Sequence, residues 1–199
     1  MIKEKTTPMN QADNWLSCQY QKQAHKTSGK GHYESYFIRA NHPSEAKAFW
    51  VRYTIFAPKE GGQPMTEMWA IFFDAETEGV VAVQKDIPWQ SSSISDDYLH
   101  LNFDGAKLDS VTPRSGRSIG DLHNEKNRLA WEVEYAQGGD PVLLLPEKLY
   151  STPLPKAKSL IISPNALFNG KFIINGQSVA IENWQGSINH NWGSKHTDA

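Results

Sequence analysis

The sequence predicts an all-β domain of the sandwich or barrel kind. Three observations predict it. About nine or ten short runs rich in aromatic and β-branched residues recur along the chain, separated by turn residues at regular spacing. Several of these runs alternate apolar with polar side chains, the period of a half-buried strand. No stretch carries a sustained helical period, and no internal repeat of fixed length stands out. Hydrophobic residues make up 39% of the 199 and aromatics 11%, including seven tryptophans. That supplies either a broad aromatic core or an aromatic-walled ligand site.

Residues Met1 to about Lys30 form a polar, weakly patterned segment. Within it, Asp13-Asn14-Trp15-Leu16 is expected to open a short helix capped by Asp13, with Trp15 plugging one end of the core. His32 to Ala40 reads as the first strand, with Tyr33, Ser35, Phe37 and Arg39 on one face and Glu34, Tyr36, Ile38 and Ala40 on the other. Asn41-His42-Pro43-Ser44 turns the chain. Ala48 to Ala57 is a second strand, Pro58 to Pro64 a loop, Glu67 to Ala75 a third strand and Gly79 to Ile87 a fourth.

Pro88 to Ser93 reads as a polar loop. Tyr98 to Phe103 alternates, Asp104-Gly105 makes a hairpin turn and Ala106 to Thr112 returns. Pro113 to Gly116 is read as a break. Leu129, Trp131, Val133 and Tyr135 alternate with polar or small neighbours in the clearest half-buried strand. Gly138 to Pro141 turns into the short apolar run Val142 to Leu145, and Pro146 to Pro155 is an irregular crossing. Ser159 to Ser163 and Leu167 to Ile174 are strands, Asn175-Gly176 carries the signal of a type I′ turn, and Gln177 to Trp184 pairs back. Phe49 to Phe56 and Trp69 to Phe73 are apolar on both faces, as expected where one face meets a ligand cavity or a second domain.

The composition excludes several classes. With 20 basic and 22 acidic residues and no polybasic run, nucleic-acid binding has no electrostatic support. The single cysteine, Cys18, rules out an internal disulfide and a cysteine-based zinc site, and reads as a spare thiol in a polar stretch. The six-residue spacing of His190 and His196, with Asp198 nearby, matches no usual metal pattern. No metal or cofactor is expected. The segment Met1 to Pro8 has no apolar core of a signal peptide, and no stretch approaches about 18 apolar residues. A cytoplasmic protein with no required membrane association is expected.

The residues that could carry chemistry are polar groups within apolar strands. Glu34, Arg39 and Arg52 either pair or stack inside the barrel or lie on its solvent face. His190 and Trp192 share a face if the C-terminal run is extended. A histidine beside an indole face suits proton donation to an alkene, where a cation develops; the alternative is that His190 ties loops together by hydrogen bonds. No partner for His25, His32, His42, His100 or His123 is legible.

Four runs in order carry a resemblance to a known family. They are Glu34-Ser35-Tyr36-Phe37-Ile38-Arg39-Ala40-Asn41-His42-Pro43, Trp50-Val51-Arg52-Tyr53-Thr54, Trp69-Ala70-Ile71-Phe72-Phe73-Asp74 and Trp184-Gln185-Gly186-Ser187-Ile188-Asn189-His190-Asn191-Trp192-Gly193. Together they resemble the hydroxyneurosporene synthase (carotenoid hydratase) and AttH-like group of double lipocalins, whose relatives include tocopherol cyclase and fungal cyclases of the Diels–Alderase type. The resemblance covers the chain from about Gly31 to its end. It implies a lipocalin-like antiparallel β-barrel, the first of two such domains, with a ligand site between or within them.

It implies further that His190 and Trp192 belong to an acid site, whose other members, a Tyr and an Asp, come from a segment beyond Ala199. The expected ligand-binding residues are Glu34, Tyr36, Arg39, Trp50, Arg52, Trp69 and Trp184. The expected organisation is a polar segment over 1–30, a barrel over 31–186, and the start of a linker or second domain over 187–199. The expected function is binding of a long hydrophobic small molecule, such as a lipid, isoprenoid or polyene. The alternative is a hydro-lyase or cyclase that protonates an alkene, and a third reading is a structural partner for the second lipocalin-like domain.

Overall fold

A computed structural model describes residues 15–20, 30–59, 62–77, 79–95, 99–112 and 114–194. The described strands are β1 (Lys30–Asn41), β2 (Lys47–Lys59), β3 (Met65–Asp74), β4 (Gly79–Pro88), β5 (Ser92–Ile94), β6 (His100–Phe103), β7 (Ala106–Thr112), β8 (Ser115–His123), β9 (Arg128–Ala136), β10 (Val142–Leu143), β11 (Ala157–Ile174) and β12 (Gln177–Gly193). They form one antiparallel sheet in the order β4-β3-β2-β1-β12-β11-β9-β8-β7-β6-β5, with β10 beside β11. The two edges, β4 and β5, are joined through a single 3-10 turn, Trp89–Ser91.

That turn brings the edges together, and side chains complete the closure. Thr66 and Ser92 hydroxyls lie 2.7 Å apart. Lys85 on β4 pairs with Asp104 at 2.9 Å. Across the interior, the Tyr53 hydroxyl donates to the Lys107 carbonyl at 2.7 Å. Its one proton is then used, so Ser118, 3.0 Å away, donates to it, while the Trp131 indole donates to Ser118 at 2.8 Å. The result is the nearly closed antiparallel barrel that the patterning and the resemblance imply.

The interior is filled by aromatic rings. Phe49 stacks on Phe172 at 4.7 Å and lies 5.9 Å from Trp184; Phe72 and Trp131 reach Phe172 at 5.9 and 6.2 Å. Each inward side chain on β9, from Leu129 to Tyr135, is buried, as its alternation predicts. Burying one such phenylalanine contributes about 1.5–3 kcal/mol relative to leaving it exposed.

Four features differ from the sequence reading. β8 occupies residues read as a break and an unassigned stretch. Ahead of Leu122 its inner face is small, Gly116, Ser118 and Gly120, because β9 rings lie over it: a Cβ on Gly120 would come within 2.3 Å of the Trp131 ring. A strand whose inner face yields its space to a neighbour shows no apolar alternation. Ser92–Ile94, read in part as loop, is a short edge strand. The two strands expected at 159–163 and 167–174 are one, β11, bent by register shifts between Ile161 and Gly170.

The boundary expected at 186 also falls inside a strand. β12 runs on to Gly193, paired with β1 and β11 throughout 187–193. Gly186 marks close backbone approach there and not a turn, since a Cβ would stand 1.9 Å from the Arg39 carbonyl oxygen. Of the expected N-terminal helix, Asp13 and Asn14 lie outside the described residues. Residues 15–20 pack onto the barrel, with Leu16 and Cys18 buried in the core.

Phe172 is the ring that Phe49, Phe72 and Trp131 share. Phe172→Ala is expected to lower unfolding stability by about 3–5 kcal/mol. Urea denaturation checks this, as a lower midpoint with an unchanged slope.

Candidate functional site

The register of β1 and β12 builds the site. Tyr36 stands opposite His190, and Glu34 opposite Trp192. Strand alternation sends all four side chains inward, at the end of the barrel where β1 begins and β12 finishes. On the other side of β12, Lys158 stands opposite Trp192 and Leu160 opposite His190. Residues 15–20 lie across this end and supply backbone groups to it.

Glu34 is completely buried, and its carboxylate collects donors from three segments. Oε1 accepts from His190 Nε2 at 2.8 Å, the Tyr36 hydroxyl at 2.9 Å and the Gln19 backbone N–H at 2.8 Å. Oε2 accepts from His32 Nε2 at 2.9 Å and the Tyr20 backbone N–H at 2.6 Å, with Cys18 Sγ at 3.6 Å. Burial by itself pushes this carboxyl up. The hydrogen bonds and charges of His190 and His32 outweigh burial and hold it well below the usual carboxylate range. Tyr36 moves the other way: burial, and then the Glu34 charge, push its phenol well above its usual value.

His190 is likewise fully buried. Its Nε2 faces Glu34 and its Nδ1 faces the Trp15 carbonyl oxygen at 2.8 Å. A carbonyl and an ionised carboxylate only accept, so the geometry fits a ring that carries a proton on both nitrogens. Glu34 and His190 then form a buried ion pair. The ring is stacked on both faces, against Tyr36 at 4.1 Å and 9° and against Trp192 at 4.4 Å and 22°. Two π-faces over an imidazolium add cation–π attraction. Trp15 and Tyr150 extend the stack over Trp192, at 6.2 and 5.7 Å. The Trp192 indole N–H is buried with no acceptor among the described residues.

The expected site residues divide between the two faces of the sheet. Glu34, Tyr36, His190 and Trp192 come together inside. Trp184 is also inside but belongs to the Phe49–Phe72 ring cluster, closed in by those rings and by His42 at 5.2 Å. Arg39, Trp50, Arg52 and Trp69 lie on the outer face, because they occupy the opposite parity on β1, β2 and β3. Arg52 pairs with Glu67 at 2.8 Å and sits over Trp50 and Trp69 at 5.3 and 5.9 Å. The pairing and stacking read from the sequence are therefore present, but outside. Arg39 donates from Nε to the Ser187 hydroxyl at 3.3 Å and meets no carboxylate among the described residues.

Near Arg39 the outer face is concave. A cavity of about 810 Å3 opens between the end of β1, the bent part of β11 and β12. Arg39, Ser187, Gln185 and Asn165 line it with polar groups, Ile161 and Leu167 with apolar ones. Bulges bend a strand and raise its twist, and those of β11 lie at this cavity.

Sequence reasoning missed His32, the backbone of residues 15–20, Tyr150 and Lys158. His32 was legible in part: it shares an inward face with Glu34 and Tyr36 at a spacing of two. Cys18, read as a spare thiol, is instead 1% exposed and beside Glu34. Lys158 is buried and donates to the carbonyls of Thr152 and Pro155, each at 2.9 Å; burial pushes its pKa down. No group of three or more metal-ligating side chains occurs among the described residues, and no helix among them is long and apolar enough to cross a membrane.

The Glu34 carboxyl has a direct consequence for acid stability. In the unfolded chain it titrates near the ordinary 4.5, and in the fold far lower. As pH falls below the ordinary value, the unfolded state takes up the proton first, so stability declines with falling pH. Glu34→Gln is expected to cost about 3–5 kcal/mol near neutral pH, because it leaves a buried cation unpaired. It also flattens the acid limb, as urea midpoints measured from about pH 6 to pH 3 would show.

No family model matches the chain. Two Mycobacterium tuberculosis proteins, MT0513 of strain CDC 1551 and Rv0493c of strain H37Rv, are each 22% identical to it over 176 residues, covering 84% of this chain. The chain spans about half the length of these relatives, 50% in each case. Among solved structures, the AttH-like protein NE1406 of Nitrosomonas europaea superposes on 99% of this chain and 58% of its own, with a TM-score of 0.66 and 10% identity. Kievitone hydratase of Nectria haematococca covers 91% of this chain and 53% of its own, with a TM-score of 0.51 and 12% identity. The chain thus has the lipocalin-like barrel fold that these AttH-like and hydratase structures share, the fold that its four sequence runs implied.

Proposed function

We propose that this chain is a lipocalin-like barrel domain that binds a long hydrophobic small molecule, and that it does so at the outer cavity between β1, β11 and β12. The observation that carries this reading is the cavity itself: about 810 Å3, lined by Ile161, Leu167 and Pro164 together with a larger set of polar groups. That volume falls in the range of small-molecule sites, about 300–1,000 Å3. Inside the barrel, by contrast, Phe49, Phe172, Trp131 and Trp184 pack on one another. A second lipocalin-like domain is the partner this reading adds, because the curated relatives are about twice as long as the stretch they share with this chain.

Organic extraction of the purified chain followed by mass spectrometry tests the reading. A lipid, isoprenoid or polyene should co-purify in near-stoichiometric amount. Leu167→Trp, which fills the cavity, should reduce it about tenfold or more. Full retention of the ligand by Leu167→Trp would place binding elsewhere and end this reading.

A second reading, favoured by the doubly hydrogen-bonded His190, is acid catalysis of the hydratase or cyclase kind. Kievitone hydratase has the same fold. In this reading a His190 N–H proton forms a C–H bond as an alkene π bond breaks. The cation left behind lies against the Trp192 ring. Water then forms a C–O bond, and the proton it loses returns to His190. The bond to the Trp15 carbonyl is the one a substrate would replace, because Glu34 must stay to hold the ring.

His190→Ala should lower hydration of an acyclic polyene about 100-fold or more. Equal hydration by both proteins would take His190 out of the reaction. The two readings use opposite faces of the β1–β12 pair, so Leu167→Trp and His190→Ala separate them.

A further inference from the structure

The arginines of this chain are not alike. Arg52 pairs with Glu67, Arg114 with Asp140, Arg117 with Glu132 and Arg128 with Asp121. Arg39, the fifth, has no carboxylate partner among the described residues, and it is the one that lines the outer cavity. No aspartate or glutamate lines that cavity among the described residues. The site therefore carries an unneutralised cation in a concave setting, where charge of one sign focuses on the space between the walls.

The guanidinium is also positioned. Its Nε is held by the Ser187 hydroxyl at 3.3 Å, from the neighbouring strand. A planar guanidinium offers a fork of donors that matches a carboxylate in two parallel hydrogen bonds. Side-chain amides of Asn165 and Gln185 line the same cavity, able to donate to further oxygens. Ile161 and Leu167, which also line it, give apolar surface suited to a hydrocarbon chain.

We infer that the outer cavity recognises an anionic amphiphile: Arg39 takes a carboxylate head group while Ile161 and Leu167 cover the adjoining hydrocarbon. This rests on the reading of that cavity as the ligand site and names the class of ligand it selects. Arg39 thereby acts as the specificity-determining residue. It reads the head group, and the apolar wall reads the tail.

Titration calorimetry with laurate and with methyl laurate, which differ in the head group alone, tests the inference. The proteins are the 199-residue chain, Arg39→Gln, Arg39→Lys and Leu167→Trp. Arg39 is exposed, so its replacements should fold, as circular dichroism would verify. Laurate should bind the unaltered chain more tightly than methyl laurate. Arg39→Gln should weaken laurate about tenfold or more and leave methyl laurate unchanged. Arg39→Lys should recover part of the loss, because it restores charge without the fork.

Equal binding of laurate by Arg39→Gln and the unaltered chain would overturn the head-group assignment. So would methyl laurate matching laurate. Either result leaves the cavity as an apolar ligand site if Leu167→Trp still abolishes binding. Binding of neither ligand, or undiminished binding by Leu167→Trp, would overturn the cavity reading together with the inference.

Discussion

The fold turns on a charge held where water cannot reach it. Glu34 and His190 are both without solvent exposure, on adjacent strands that lie far apart in sequence. An isolated charge at that depth would cost several kcal/mol, so the barrel is committed to surrounding it. Every element near this end contributes: β1 gives His32 and Tyr36, β12 gives the imidazole, and residues 15–20 give two amide hydrogens and one carbonyl. The N-terminal segment is thereby tied to the strand that closes the barrel's first and last halves. A polar, unpatterned stretch becomes part of the core because it carries the hydrogen-bonding groups that the ion pair lacks.

The same end holds the parts that the proposed acid chemistry would use. A histidine between two rings, protonated on both nitrogens, is a cation whose charge is balanced by a neighbour. That arrangement stabilises the fold as it stands. It also resembles what proton donation to an alkene requires: an acid, a cation-tolerant ring and little water. The indole N–H of Trp192 is buried without an acceptor among the described residues, a polar group of the cluster that they leave unmatched.

Closing the barrel packs its inner rings against one another. Inside, Phe49, Phe72, Phe168, Phe172, Trp131 and Trp184 are all within 3% exposure and lie against one another. Small inward residues on β8 make room for rings from β9. The bulges of β11 shift the opening to the outside. They bend the sheet at Ile161–Gly170, and the concavity falls beside an arginine that has no acid partner among the described residues.

Much of this was legible in the chain. Alternation from Leu129 to Tyr135, the Asn175-Gly176 turn and regular turn signals determine strands and their neighbours, because side-chain period and turn geometry are local properties. The runs around Glu34 and His190 mark the inner cluster, and strand parity alone puts Glu34 and Tyr36 on one face. What the chain could not disclose were the partners. His32 and Cys18 read as unattached, and β8 as a break, since each is defined by what lies across the barrel. Arg39 and Arg52 were likewise open between inside and outside. An apolar run does not state which of its faces curls inward; the direction of closure does. Closure is set where the edges β4 and β5 meet, while the pairing of β1 with β12 joins Glu34 to His190 across 156 positions of chain.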